Sequence, residues 1–267
     1  METLAPRALV ASILVLMALP ATVHAATVSV EPYVEPPSVD PFGSCSRYMQ
    51  CPPDMVVFAA APAESNQPVI TVEFAYPRNR YVVRDPSAPV QAGPGCAQLD
   101  PQAAACTAGA LGPVQLGDGD DWFASSIPGG GVFGGPGRDV LHRRGSGSMS
   151  GGAGDDVIVG DLGSGGPGND LLVVLSGFGG SGRDTLECFP AQLVCHLDGG
   201  AGDDRLAGGT RLDRLLGGRG DDLLVSRESG SAVEADRVDC GRGRRDRAVS
   251  DRRDDVKRCE RVGRPAG

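Results

Sequence analysis

Large apolar residues recur through the middle of the chain in a fixed relation to aspartate. Phe123, Leu141, Ile158, Leu172, Leu186, Leu206 and Leu224 each lie two positions after one. Each sits in a short β segment that follows a glycine-rich turn, a pattern predicting brief strands that point one bulky side chain inward. Upstream, Val69-Ile70-Thr71-Val72-Glu73-Phe74 and Tyr81-Val82-Val83-Arg84 are β-rich runs separated by Pro77-Arg78-Asn79-Arg80, and they predict a hairpin. Residues 26–66 are rich in proline, which resists regular structure, so an extended segment is expected there.

The turns are as regular as the apolar positions. Seven copies of a nine-residue unit begin at Leu116, Gly134, Gly151, Gly165, Gly179, Gly199 and Gly217. Their turns end in Asp121, Asp139, Asp156, Asp170, Asp184, Asp204 and Asp222. Glycine permits positive φ and leaves backbone carbonyls open, while aspartate supplies a hard anionic oxygen. Calcium takes six to eight oxygens. No single turn offers that many, so an ion is expected between stacked turns, held by carboxylate and carbonyl oxygens of two coils. The candidate ligands are the seven aspartates with Gly117, Gly119, Gly135, Gly137, Gly200, Gly202, Gly218 and Gly220.

This G-G-x-G-x-D-x-U-x pattern resembles the RTX, or hemolysin-type, calcium-binding nonapeptide repeat over residues 116–225. The resemblance implies an all-β fold, a right-handed parallel β-roll, with calcium as its cofactor. A solenoid of this kind needs covered ends. Residues 67–115 are expected to form an N-terminal β cap and residues 226–267 a disulfide-closed C-terminal cap. That C-terminal segment is similar to tails that follow such repeats in secreted proteins of high-GC Gram-positive bacteria.

Spacing refines the expectation. Units at 116 and 134, and at 199 and 217, lie eighteen residues apart, as a two-sided coil requires, whereas the steps between 134 and 199 are 17, 14, 14 and 20. About six coils with an irregular middle are expected. The best calcium sites are then at Asp121/Asp139 and Asp204/Asp222.

Charge and cysteine content place the chain. Residues 116–225 hold sixteen acids and eight arginines, a self-repelling excess that cations would relieve. Residues 1–25 read as a signal peptide, with Arg7, an apolar run over residues 8–19 and a Val23-His24-Ala25 cleavage site, so the mature chain is expected outside the cell. Eight cysteines suit export, and pairing of neighbours predicts Cys45–Cys51, Cys96–Cys106, Cys188–Cys195 and Cys240–Cys259.

Other chemistries fit less well. The matches to a dinucleotide fingerprint are by-products of glycine pairs and open no helix. There is no His-Glu-x-x-His or Gly-x-Ser-x-Gly motif, and no Cys-x-x-Cys pair. Ten basic residues in 236–262 are interleaved with seven acids, which argues against nucleic acid as a partner. The sequence therefore predicts a secreted, non-enzymatic calcium-binding roll, structural or adhesive, with a cell surface or extracellular polymer as its partner. The alternative is a secreted hydrolase, directed at polysaccharide or peptide, that uses the roll as scaffold.

Overall fold

The computed structural model describes residues 25–32, 54–145, 147–189, 193–226 and 234–264. The expected signal peptide, save Ala25, and the Cys45–Cys51 pair lie outside the described residues. Among the described residues every regular element is a strand. The chain winds as a parallel β-solenoid of about eight turns, more than the six expected.

Each turn of the solenoid has two faces. A strand on the first face, such as Val132–Pro136, leads through a glycine-aspartate corner to a strand on the second, such as Val140–Arg143, and a return corner closes the coil. Both faces pair in parallel, coil on coil. On the second face the apolar residues identified in the sequence form one unbroken column, Phe123, Leu141, Ile158, Leu172, Leu186, Leu206, Leu224 and then Ala248, each in register with the next. All are buried to within 1% of full exclusion, so this column is the core. Opposing it stand Val114, Val132, Met149, Leu197, Leu215 and Val238 on the first face.

In the middle of the roll the fourteen-residue steps are regular coils, whereas the twenty-residue step carries a longer return corner closed by Cys188–Cys195. Coils fourteen residues long are built from the two longest strands, Val157–Pro167 and Leu171–Ser181, which bend from the second face directly into the first face of the next coil. Their pairing is in register from Val157↔Leu171 to Pro167↔Ser181. Shortening falls on the return corner and leaves the aspartate corner intact. It brings the faces together, and the first-face inward positions here are Gly163 and Gly177. A Cβ on Gly163 would lie 2.9 Å from Ile158 Cγ2 and 3.1 Å from Val174 Cγ1, so only glycine fits a coil this narrow.

The ends also differ from expectation. The proline-rich segment holds two strands, Ala26–Pro32 and Asp54–Ala59, paired antiparallel, and the second pairs in parallel with Ala110–Gln115 of the first coil. Val28, Val56 and Phe58 are fully buried there, and their burial outweighs the prolines, of which Pro32 ends the first strand. The predicted hairpin is present as Val69–Glu73 against Asn79–Arg84, extended by Ala103–Ala108 and Cys96–Asp100 into a four-stranded antiparallel sheet stapled by Cys96–Cys106. At the other end, the disulfide-closed segment is itself coiled. Arg237–Arg242 and Asp255–Lys257 continue the first face, Arg247–Val249 and Arg261–Gly263 the second. Cys240–Cys259 ties these last coils together, and Cys188–Cys195 closes a return corner.

Candidate metal centre

The seven repeat aspartates lie one above another at the same corner, each no more than 3% exposed. Every one uses its carboxylate in the same way. From Asp139 on, Oδ1 of each accepts the backbone N–H of the aspartate one coil earlier, so Asp121 donates to Asp139, Asp139 to Asp156, and so on through Asp170, Asp184 and Asp204 to Asp222, at 2.8–2.9 Å throughout. The row runs past the sequence-predicted set. Asp222 N–H donates to Asp246 and Asp246 N–H to Glu260 Oε2, both at 2.8 Å, while at the start Asn66 N–H donates to Asp121 Oδ1.

The other carboxylate oxygen has no such partner. Oδ2 of Asp121, Asp139, Asp156, Asp170, Asp184, Asp204, Asp222 and Asp246 is buried without a hydrogen-bond donor. Among the described residues no lysine or arginine forms an ion pair with the row. Withdrawal from water therefore pushes these carboxyls up: Asp121, Asp139, Asp184 and Asp222 to about 6, Asp156 and Asp204 to about 7. The bond from the preceding amide opposes the shift, and neighbouring carboxylates add to it.

Backbone oxygens share the same space. A methyl group placed on Gly134 would run into both Asp139 Oδ2 and the Gly151 carbonyl of the next coil. The arrangement recurs at Gly165, Gly179, Gly199 and Gly217, which face Asp170, Asp184, Asp204 and Asp222 with the carbonyls of Gly179, Gly199, Gly217 and Cys240. The glycines singled out from sequence line the same corner. Gly117, Gly119, Gly135, Gly137, Gly200, Gly202, Gly218 and Gly220 all have positive φ and stack coil on coil, so that a Cβ on Gly135 would meet the Gly117 carbonyl. They shape the corner, and the first glycine of each unit brings a carbonyl to the carboxylate. The spacing-favoured pairs Asp121/Asp139 and Asp204/Asp222 are no better formed than the others, because the corner keeps its geometry whatever the coil length.

Two polar rows escaped sequence reasoning. The residue before the aspartate repeats the ladder at the surface: Arg138 N–H donates to Asp120, Asn169 N–H to Asp155, Arg183 N–H to Asn169 and Asp221 N–H to Asp203. A second buried row lies at the return corner, where Cys195 N–H donates to Asp213, Asp213 N–H to Asp236 and Asp236 N–H to Asp254. At Asp213 and Asp254 protein donors take the second oxygen. Gly209 N–H reaches Asp213 Oδ2, and the Ser226 hydroxyl and Asp251 N–H reach Asp254 Oδ2. Asp213 also lies near Cys188 and Cys195, but those sulfurs are bonded to each other.

The first row fits a hard cation. Its donors are all oxygens, carboxylate and carbonyl, drawn from adjacent coils, and a buried carboxylate oxygen without a donor is unfavourable unless a cation or proton meets it. The fold and this row define a class, the calcium-type β-roll with repeat carboxylates stacked along one corner. Consistent with it, the family model described as RTX calcium-binding nonapeptide repeat (4 copies) matches residues 148–165 and 198–228. Those two stretches are RTX-type calcium-binding repeats. Comparison with curated proteins and with solved structures gave no match.

Proposed function

We propose that this is an extracellular, non-enzymatic protein whose roll is completed by calcium and whose role is structural or adhesive. The observation that carries the reading is the row of buried Oδ2 atoms, each lacking a donor, with those of Asp139, Asp170, Asp184, Asp204 and Asp222 sharing space with a carbonyl of the next coil. Cations held by Asp139, Asp156, Asp170, Asp184, Asp204 and Asp222 would neutralise the row and join the coils. A site filled at a hundredfold excess over its Kd adds about 2.7 kcal/mol, so a few such sites would decide whether a thin core folds. Three disulfides and RTX repeats are consistent with an extracellular setting, and the signal-peptide reading of residues 1–25 supports it. Low calcium before export would keep the chain open, and external calcium would close it. The test is a calcium titration of the purified, disulfide-intact chain followed by far-ultraviolet circular dichroism, with magnesium and chelator as controls. We expect a gain of β signal or of melting temperature with calcium that chelator reverses. Melts that are identical with and without calcium would show that the row is only structural.

A further inference from the structure

Toward its C-terminal end the first face of the roll lies open along Leu171–Ser181, His196–Ala201, Arg214–Arg219 and Arg237–Arg242. Outward positions stack in register. His196, Arg214 and Arg237 form one column; Phe178, Asp198, Leu216 and Asp239 a second; Ala201, Arg219 and Arg242 a third. Between the second and third columns stand Gly180, Gly200, Gly218 and Gly241, whose lack of side chains leaves a trough of about 480 Å³. Two smaller hollows beside Arg214 and Arg237 continue it across the face.

The charge of this region is opposite to that of the chain. Six basic and three acidic side chains line the trough and its hollows, whereas the whole chain carries −9. Local pairs account for part of it. Lys257 meets Asp255 at 2.6 Å, Arg258 pairs with Asp239, and Arg214 lies within electrostatic reach of Asp198. Arg219, Arg237 and Arg242 form no ion pair among the described residues. Because neighbouring strands are spaced about 4.8 Å apart, these guanidinium groups repeat along the roll and match a linear polymer of anions.

The rest of the lining selects among such polymers. Asp198 and Asp239 can accept hydrogen bonds from hydroxyl groups, which a sugar polymer carries on every ring, and Phe178, 46% exposed, with Leu216 offers an apolar surface to the C–H face of a ring. We infer that the trough binds an acidic polysaccharide of the uronate kind, its carboxylates on the arginines and its hydroxyls on the aspartates. This gives a partner class to the adhesive reading and rests on the roll being folded.

The test uses the full chain in calcium, with circular dichroism taken on the same samples. The probes are polygalacturonate, uncharged dextran and a single-stranded oligonucleotide. Polygalacturonate should bind at low salt and weaken at high salt, and dextran should not bind. The double variant R219Q/R242Q should lose about tenfold in affinity, the loss of one good charge-assisted contact. R205Q/R247Q, which removes two exposed arginines from the second face, should stay within about twofold. A folded chain that fails to bind polygalacturonate overturns this inference alone, as does an equal loss in both double variants or tighter binding of the oligonucleotide. A chain that shows no β signal in calcium overturns the calcium-folding reading as well.

Discussion

Asp204→Asn separates a cation row from a merely structural one, because the two make opposite predictions in chelator. Asp204 Oδ1 accepts the Asp184 amide at 2.9 Å, and an asparagine oxygen can keep that bond. Oδ2 has no donor and faces the space shared with the Gly217 carbonyl, where an asparagine NH₂ would become a donor. Burial lifts this carboxyl from 3.8 to about 7. At pH 8 without cations the folded chain must hold it ionised, which costs at most about 4 kcal/mol at 1.36 kcal/mol per pKa unit. The sign follows from the raised pKa. The folded state binds the proton more tightly than the unfolded chain, so the cation-free roll gains stability as pH falls from above 7 toward 4 and loses it as pH rises. In chelator at pH 8 the variant should therefore melt above the wild type, by several degrees at about 2–4 °C per kcal/mol, and the advantage should shrink at pH 5. In saturating calcium the order should reverse, since the neutral amide forfeits the site's contribution of about 2.7 kcal/mol at a hundredfold excess over Kd. Thermal melts by circular dichroism in the two buffers suffice. A variant less stable than wild type in both would refute the argument, for it would mean that Oδ2 already has a partner.

Further outcomes follow from the same geometry. Gly135→Ala, at φ +120° and directly over the Gly117 carbonyl, should lose at least about 2 kcal/mol in urea unfolding, whereas Gly145→Ala, at φ +102° with nothing within 4 Å of a new Cβ, should lose about half as much. Leu172→Ala should cost about 2–5 kcal/mol, because Leu172 fills the narrow coils between Gly163 and Gly177 and a cavity there has no larger side chain to collapse into it. Replacing Cys240 and Cys259 by serine opens a loop closed over 19 residues and should remove about 3 kcal/mol, with hydrogen exchange accelerating first in residues 237–263.

Most of the roll was legible because its period is carried by residue types with few substitutes. The corner needs glycines at positive φ, an aspartate to bridge coils and an apolar residue two positions on, so the second-face column and its aspartates could be read directly from the sequence. The fourteen-residue coils were harder to read. Their shortening falls at the return corner, and the compensating change is glycine at inward positions 163 and 177, which looks like more of the same glycine-rich sequence. The coiled nature of the C-terminal segment was hidden for a similar reason: Ala248 occupies the core position where earlier coils carry leucine, and Asp246 and Glu260 continue the carboxylate row at unequal spacing. Arg143, 1% exposed and bonded to the carbonyls of Gly130 and Ile127, fills the inside of a return corner, a role that a single arginine beside Arg144 does not announce. The return-corner row of Asp213, Asp236 and Asp254 lacked the glycine pattern, and serine and backbone donors serve the second oxygens of Asp213 and Asp254.

The carboxylate row also bears on how the roll holds together. In a solenoid each coil touches only its neighbours, so stability is close to a sum of coil and interface contributions, and a weak coil can open without the rest. The aspartates work against that. Each spends one oxygen on the amide of the coil before it, and most leave the other beside a carbonyl of the coil after it, so a coil that leaves orphans polar groups on its neighbours. The ends of the row carry other residue types for the same reason. Asn66 starts it with a side-chain amide that donates to the Leu116 carbonyl, so the terminal position adds no further buried charge, and Glu260 ends it with a longer arm that reaches Asp246 where the coils are uneven. On the proposed reading the eight donor-free oxygens would make this continuity repulsive without cations and binding with them. A protein built so that its coupling changes sign with calcium would close all its coils together rather than one at a time.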